Sequence, residues 1–408
     1  MNKLLLLAVS TLVSLASALA SGQTPMSDAQ LRATQASAAP DAVLVPSPPD
    51  IAARAYLLMD ANSGRVLAEH NADEQLAPAS LTKMMTGYVL SEHIAQSKVS
   101  WDDQVYITEN AWAQNPIFEG SSLMWVPVNT RVALRDLYYG LVISSGNDAS
   151  VAIAEHVAGS EQSFADLMNQ QAQLLGMTGS HFVNAHGLPD PAHVTTARDL
   201  AILSRAMIHD HPEDYKVYAE RAFVFNNIRQ GNRNELLGLD GVDGIKTGHT
   251  EDAGYCLVSS AEQNGMRLIS VVLGTESKRA RKDESRKLLT YGQRFFETQP
   301  LFADDPVLAT AKVWGGVLQS IELGVAESVF LTVPRGQFDK LEATATVDPV
   351  IEAPITAGQR LGTVSVSLAG ASVYEAPLVA RESVEPAGFF ARIWDQLMLF
   401  FLQLFGQL

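Results

Sequence analysis

Ser80 and Lys83 stand three residues apart in Ala77–Leu90, where Pro78 precedes apolar residues at helical spacing (Leu81, Met84, Met85, Tyr88, Val89). On a helix that spacing puts the hydroxyl and the amine on one face. A first turn also leaves backbone N–H groups unpaired at the positive end of the helix dipole. A serine beside an uncharged amine can give up its proton and attack a carbonyl, and the resulting oxyanion finds donors in those N–H groups. Burial beside a second cation lowers a lysine's pKa in the direction a base requires. Taken alone, the pair describes equally well a capped helix with a solvated lysine.

Two further motifs follow in order: Ser145-Gly146-Asn147 and Lys246-Thr247-Gly248. The first sits between a helical run (Leu134, Leu137, Tyr138, Leu141) and a second helix over Ala149–Ala158 opened by Asp148. Glycine and the Asn/Asp pair predict a tight turn that exposes Ser145 and Asn147. The second motif precedes Tyr255–Ala261 and Leu268–Leu273, predicted to be strands joined at Asn264-Gly265. Lys246, Thr247 and Gly248 are then expected on a sheet-edge strand, facing outward. A hairpin about Ala61-Asn62-Ser63-Gly64 precedes the Ser80 helix, and a helix over Ser285–Phe296 closes this region.

The chain has 408 residues, enough for two domains, and a formal net charge of −16 without a basic stripe, which excludes nucleic acid as a partner class. Met1-Asn2-Lys3, the apolar Leu4–Val13 and the small Ala18-Leu19-Ala20 predict a cleaved export signal over residues 1–20. A flexible linker is expected over 21–50 and a compact region over 51–300. After Pro300 come short Val- and Thr-rich runs, Val329–Val333, Leu341–Val347, Arg360–Leu368 and Ser372–Val379, which predict a small all-β domain over 301–385. Residues 386–408 are rich in large apolar residues, among them Phe389, Phe390, Ile393, Trp394, Phe400 and Phe401, with Arg392, Gln396, Gln403 and Gln407 in one stripe, an amphipathic helix suited to lying in a membrane surface. Arg392 and Asp395 leave too short an uncharged remainder for a span. His181, His186 and His193 lack metal-ligand spacing, and the lone Cys256 lies in an apolar run that predicts an inert core thiol, so neither a metal nor a cofactor is expected.

Serine β-lactamases and penicillin-binding proteins share this ordered trio of motifs. Ser144–Ala149, Asp243–Thr250 and Phe182–Leu188 carry a closer resemblance, to the D-alanyl-D-alanine carboxypeptidases of the penicillin-binding protein 5 type, covering the chain from about Ile51 onward. That resemblance implies an α/β (α+β) serine β-lactamase/DD-peptidase-like domain, with helices around an antiparallel sheet, then a small all-β domain and an amphipathic helix. It implies Ser80 as the acylated nucleophile, Lys83 as its base and Ser145 as a proton relay to the leaving D-alanine. Asn147 would hold the peptide backbone, Lys246 would place charge near Ser145 and the substrate carboxylate, and Thr247 and Gly248 would pair with extended peptide. His249 would share the oxyanion hole with Ser80, and Arg281 would meet the carboxylate. The implied partners are peptidoglycan pentapeptides, β-lactam antibiotics and a membrane surface, and the implied location is the periplasmic side of the inner membrane. The tail departs from the pattern in having one arginine and no lysine. Rival readings are a β-lactamase or DD-endopeptidase of the same fold, or a peptidoglycan-binding scaffold without turnover.

Overall fold

The computed structural model describes residues 45–303 and 306–405. The expected export segment, and the linker as far as residue 44, lie outside them. Along the described chain, β1 (Ala55–Asp60) and β2 (Val66–His70) form the expected hairpin. A 3-10 turn over Ala79–Leu81 leads into α1 (Thr82–Ala95). The ribbon of β3 (Gln104–Tyr106) and β4 (Arg131–Ala133) precedes α2 (Leu134–Tyr139), a π-turn over Gly140–Ser144, and α3 (Asn147–Ala158). Next come α4 (Glu161–Leu175), α5 (Ala197–Asp210) and a hairpin of β5 (Ala222–Phe225) with β6 (Ile228–Gly231). β7 (Val242–Thr250), β8 (Gly254–Gln263), β9 (Met266–Thr275) and α6 (Lys278–Phe295) complete this region.

The main sheet runs β2-β1-β9-β8-β7, every neighbouring pair antiparallel. Its side chains alternate between two cores. Leu57, Met59, Val258, Ile269 and Val271 enter the core shared with α1 and α3, whereas Leu58, Leu257, Leu268 and Val272 pack under Leu288 and Leu289 of α6. A sheet covered on both faces explains why these strands read as continuous apolar runs. α1 is buried from Thr82 to Ser91, which is where a helix without a polar face belongs. β7 occupies the sheet edge, as expected.

Three sequence expectations are corrected. Ser145 and Asn147 are not exposed by their turn: each is 2% accessible, because α2, the π-turn and α3 fold back around them. Lys246 and Thr247 do not face outward into solvent; they are 3% and 6% accessible, covered by the Ala79–Leu81 turn and neighbouring groups. Helix α6 begins at Lys278, capped by Ser277 Oγ accepting from the Ala280 N–H, not at Ser285. Its first turns are so charged that apolar periodicity emerges only later, and Arg281 lies within them.

β10 (Phe296–Leu301) continues directly from α6. It is followed by β11 (Ala309–Lys312), β12 (Ser320–Gly324), β13 (Val329–Pro334), β14 (Leu341–Val347), β15 (Arg360–Leu368) and β16 (Ala371–Ala380). β10 pairs with β13, and the remaining five form a sheet ordered β11-β12-β16-β15-β14. Val364 and Val366 point into its core, as the alternation over Thr363–Ser367 predicts. The buried Asp60 ties the two regions together: it accepts from Ser63 N–H (2.7 Å) and from Thr298 Oγ1 (2.8 Å), which bonds in turn to Thr332. Helix α7 (Phe389–Leu404) leaves Phe390, Trp394, Phe400 and Leu404 more than half exposed. Asp395 accepts from Gly315 N–H at 2.8 Å, so the polar side of α7 faces the β domain. No helix among the described residues is long and apolar enough to cross a membrane.

Candidate active site

Ser80 sits in the 3-10 turn immediately before α1, and Lys83 in the first turn of α1. Lys83 Nζ lies 3.1 Å from Ser80 Oγ, so the predicted pair is in hydrogen-bond contact. The same amine donates to Asn147 Oδ1 (2.7 Å) and to the His186 carbonyl (2.6 Å), which aims it at the serine. Its burial, with Arg233 as a second cause, lowers its pKa to about 7. An uncharged amine near neutrality is what a proton acceptor for serine requires.

Ser145 follows the π-turn with φ 61° and ψ 38°, a left-handed conformation costly for a residue with a side chain. Among the described residues its Oγ is buried without a hydrogen-bond partner. A buried hydroxyl in that state is poised for a partner that arrives from outside. Asp148 stabilises the turn. Its carboxylate accepts from the N–H groups of Met124, Trp125 and Val126 at 2.8–3.0 Å, binding the loop before α2 to the start of α3. Gly146 packs against that loop, and a Cβ there would lie 2.9 Å from the Met124 nitrogen.

β7 supplies the opposite wall. Gly248 passes so close to the nucleophile's turn that a Cβ would meet Pro78 O at 3.1 Å and Leu81 Cγ at 3.2 Å. Lys246 is buried, and desolvation together with the neighbouring Lys83, Arg233 and Arg281 pushes its pKa well below the usual lysine value. Arg281 reaches over from α6 and donates to the Gly248 carbonyl (3.2 Å), while the His249 ring stacks on Tyr255 with centroids 4.0 Å apart. Ser80, Ser145, Asn147, Thr247, Gly248, His249 and Arg281 all line one cleft of about 500 Å³, with Lys83 and Lys246 buried beside it. Residues from four separate stretches of sequence thus converge around the Ser80 hydroxyl.

The family described as D-alanyl-D-alanine carboxypeptidase matches residues 42–277, and the C-terminal domain of penicillin-binding protein 5 matches residues 296–386. The chain belongs to the D-alanyl-D-alanine carboxypeptidase family. It is 48% identical to the D-alanyl-D-alanine carboxypeptidase DacC of Escherichia coli (strain K12), over 88% of this chain and 90% of that one. Penicillin-binding protein 5 of Haemophilus influenzae superposes with a TM-score of 0.80 at 42% identity, covering 83% of this chain and 99% of that one. Penicillin-binding protein D2 of Listeria monocytogenes, solved in its cefotaxime-bound form, gives a TM-score of 0.54 at 31% identity, covering 61% and 100%. This carboxypeptidase is accordingly a hydrolase and a penicillin-binding protein, with the fold its motifs implied.

Several groups that shape the carboxypeptidase site carry no motif of their own. Arg233, in the loop after β6, lines the cleft and acts on both lysines; in sequence it is one cation in a polar stretch. His186 contributes through its backbone carbonyl, which composition cannot reveal. Its ring is held neutral, with a pKa lowered to about 3 by burial and by Lys83. His193 bonds Thr82 Oγ1 at 2.7 Å, and burial lowers its pKa to about 4. The signal for His186 lay in the quoted Phe182–Leu188 stretch, where Gly187 has φ 89° and a Cβ would fall 1.9 Å from Ala79 O. Cys256 is a buried thiol, with a pKa raised to about 11 by burial.

Proposed function

We propose that this carboxypeptidase removes the terminal D-alanine of peptidoglycan pentapeptides through an ester on Ser80. Uncharged Lys83 accepts the Ser80 proton as Oγ attacks the carbonyl of the penultimate D-alanine. Backbone N–H groups of Ser80 and His249 receive the developing oxyanion. Ser145 relays the proton to the departing amine, after which D-alanine leaves and water cleaves the ester with the same groups. Asn147, Thr247 and Gly248 hold the peptide, the last two along the open edge of β7, by adding a strand to the sheet. Lys246 and Arg281 draw in the terminal carboxylate, the arginine by a bidentate contact. The observation that carries this reading is the 3.1 Å contact between Ser80 Oγ and a buried lysine whose pKa is lowered to about 7.

A β-lactam presents the same kind of amide, so penicillin acylates Ser80 too; the cefotaxime-bound Listeria relative supports that partner. A β-lactamase would need a dedicated base to hydrolyse that ester quickly, and the family match favours the peptidase. We place the enzyme on the periplasmic face of the inner membrane, exported by residues 1–20, tethered through 21–50, catalytic over 51–300, with the β domain over 301–385. The exposed apolar side of α7 then lies in the lipid surface. D-alanine release from a pentapeptide, measured beside timed penicillin labelling, tests the reading. Both activities vanish in Ser80→Ala if it holds, and labelling that persists refutes it.

A further inference from the structure

We propose that the ion pair between Glu235 and Lys282 forms a wall that limits the leaving group to a single residue. Glu235 lines the cleft from the loop between β6 and β7, and Lys282 Nζ reaches it from α6 at 3.4 Å. The loop cannot swing freely. Asn234 is 4% accessible, donates to the Gly244 carbonyl at 2.8 Å, and accepts from the Leu236 N–H at 3.0 Å. Arg281, the residue before Lys282, turns the other way and enters the cleft above Gly248. Glu235 therefore borders the cleft beside the Arg281 guanidinium, on which its charge acts, and Lys282 braces its carboxylate from outside the lining. This inference rests on the reading of Arg281 as the partner of the substrate's terminal carboxylate. A residue bound there ends against Glu235, and a chain that continued through that carboxylate would have to part the two side chains.

The full-length enzyme is tested with two peptides: one ending in D-Ala-D-Ala, the other identical but extended by glycine. Release of D-alanine and of D-alanyl-glycine is followed by chromatography. Glu235→Gly and Lys282→Ala are each expected to raise the kcat/KM ratio of extended to terminal substrate about fivefold, equivalent to roughly 1 kcal/mol for a partly exposed pair. Arg279→Ala removes a cation that is 91% exposed on the same helix, and keeps the wild-type ratio. An unchanged ratio in both wall variants, with thermal midpoints preserved, overturns the proposal. Arg281→Ala reports on the reading beneath it: a loss of about tenfold or more on the terminal peptide supports the carboxylate contact, and no loss there overturns the contact and the wall together.

Discussion

Acylation should titrate with Lys83. In water a lysine with the ordinary value of 10.5 is uncharged in about one molecule in 3000 at pH 7. At a pKa of about 7, half of the Lys83 population is uncharged there. The environment thus raises the concentration of active base on the order of 10³-fold. The sign follows from the form that works: protonation removes the base, so the rate falls as pH drops through the folded-state pKa. The second-order rate of acylation by a fluorescent penicillin, measured from about pH 5 to about pH 9, should fall tenfold per unit on the acid side and level off above about pH 8. Arg233→Gln removes the second cause of the shift, so its acid limb should move to higher pH. A rate independent of pH across the acid half of that range would refute the role given to Lys83, and an unmoved limb in the variant would remove Arg233 from the causes of the shift.

Other expectations follow from particular contacts. Ser145→Ala should lower kcat for D-alanine release by about 10²–10⁴-fold, with little change in thermal midpoint, since among the described residues its Oγ has no hydrogen-bond partner to lose; an unaltered kcat removes it from the proton path. Gly187→Ala combines a left-handed backbone with a Cβ 1.9 Å from Ala79 O, and should cost about 2–5 kcal/mol in denaturant unfolding; an unshifted midpoint would contradict that packing. Deleting residues 388–408 should move the enzyme from sedimented membranes to the soluble fraction, and unchanged retention would count against α7 as the anchor.

What the sequence showed and hid divides along physical lines. The main strands were legible because both faces of the sheet are covered, leaving apolar runs bounded by turn residues such as Asn264 and Gly265, which have φ 53° and 77°. β14 and β15 matched their expected limits for the same reason of regular patterning. The start of α6 was hidden because its first turns carry charge where periodicity would otherwise show. Burial of Ser145, Asn147, Lys246 and Thr247 was not legible either: polar residues cover one another there, and that follows from tertiary convergence. The motifs supplied the reacting groups. The groups that tune them, Arg233 through its charge and His186 through its carbonyl, act by position in space, and single-residue identity carries no trace of that.

The central claim is that Ser80 is the residue that becomes acylated. Mass spectrometry of the penicillin-treated, protease-digested enzyme tests it most directly. The account predicts a penicilloyl adduct on the peptide containing Ser80 and its absence from Ser80→Ala; an adduct on any other residue would contradict it.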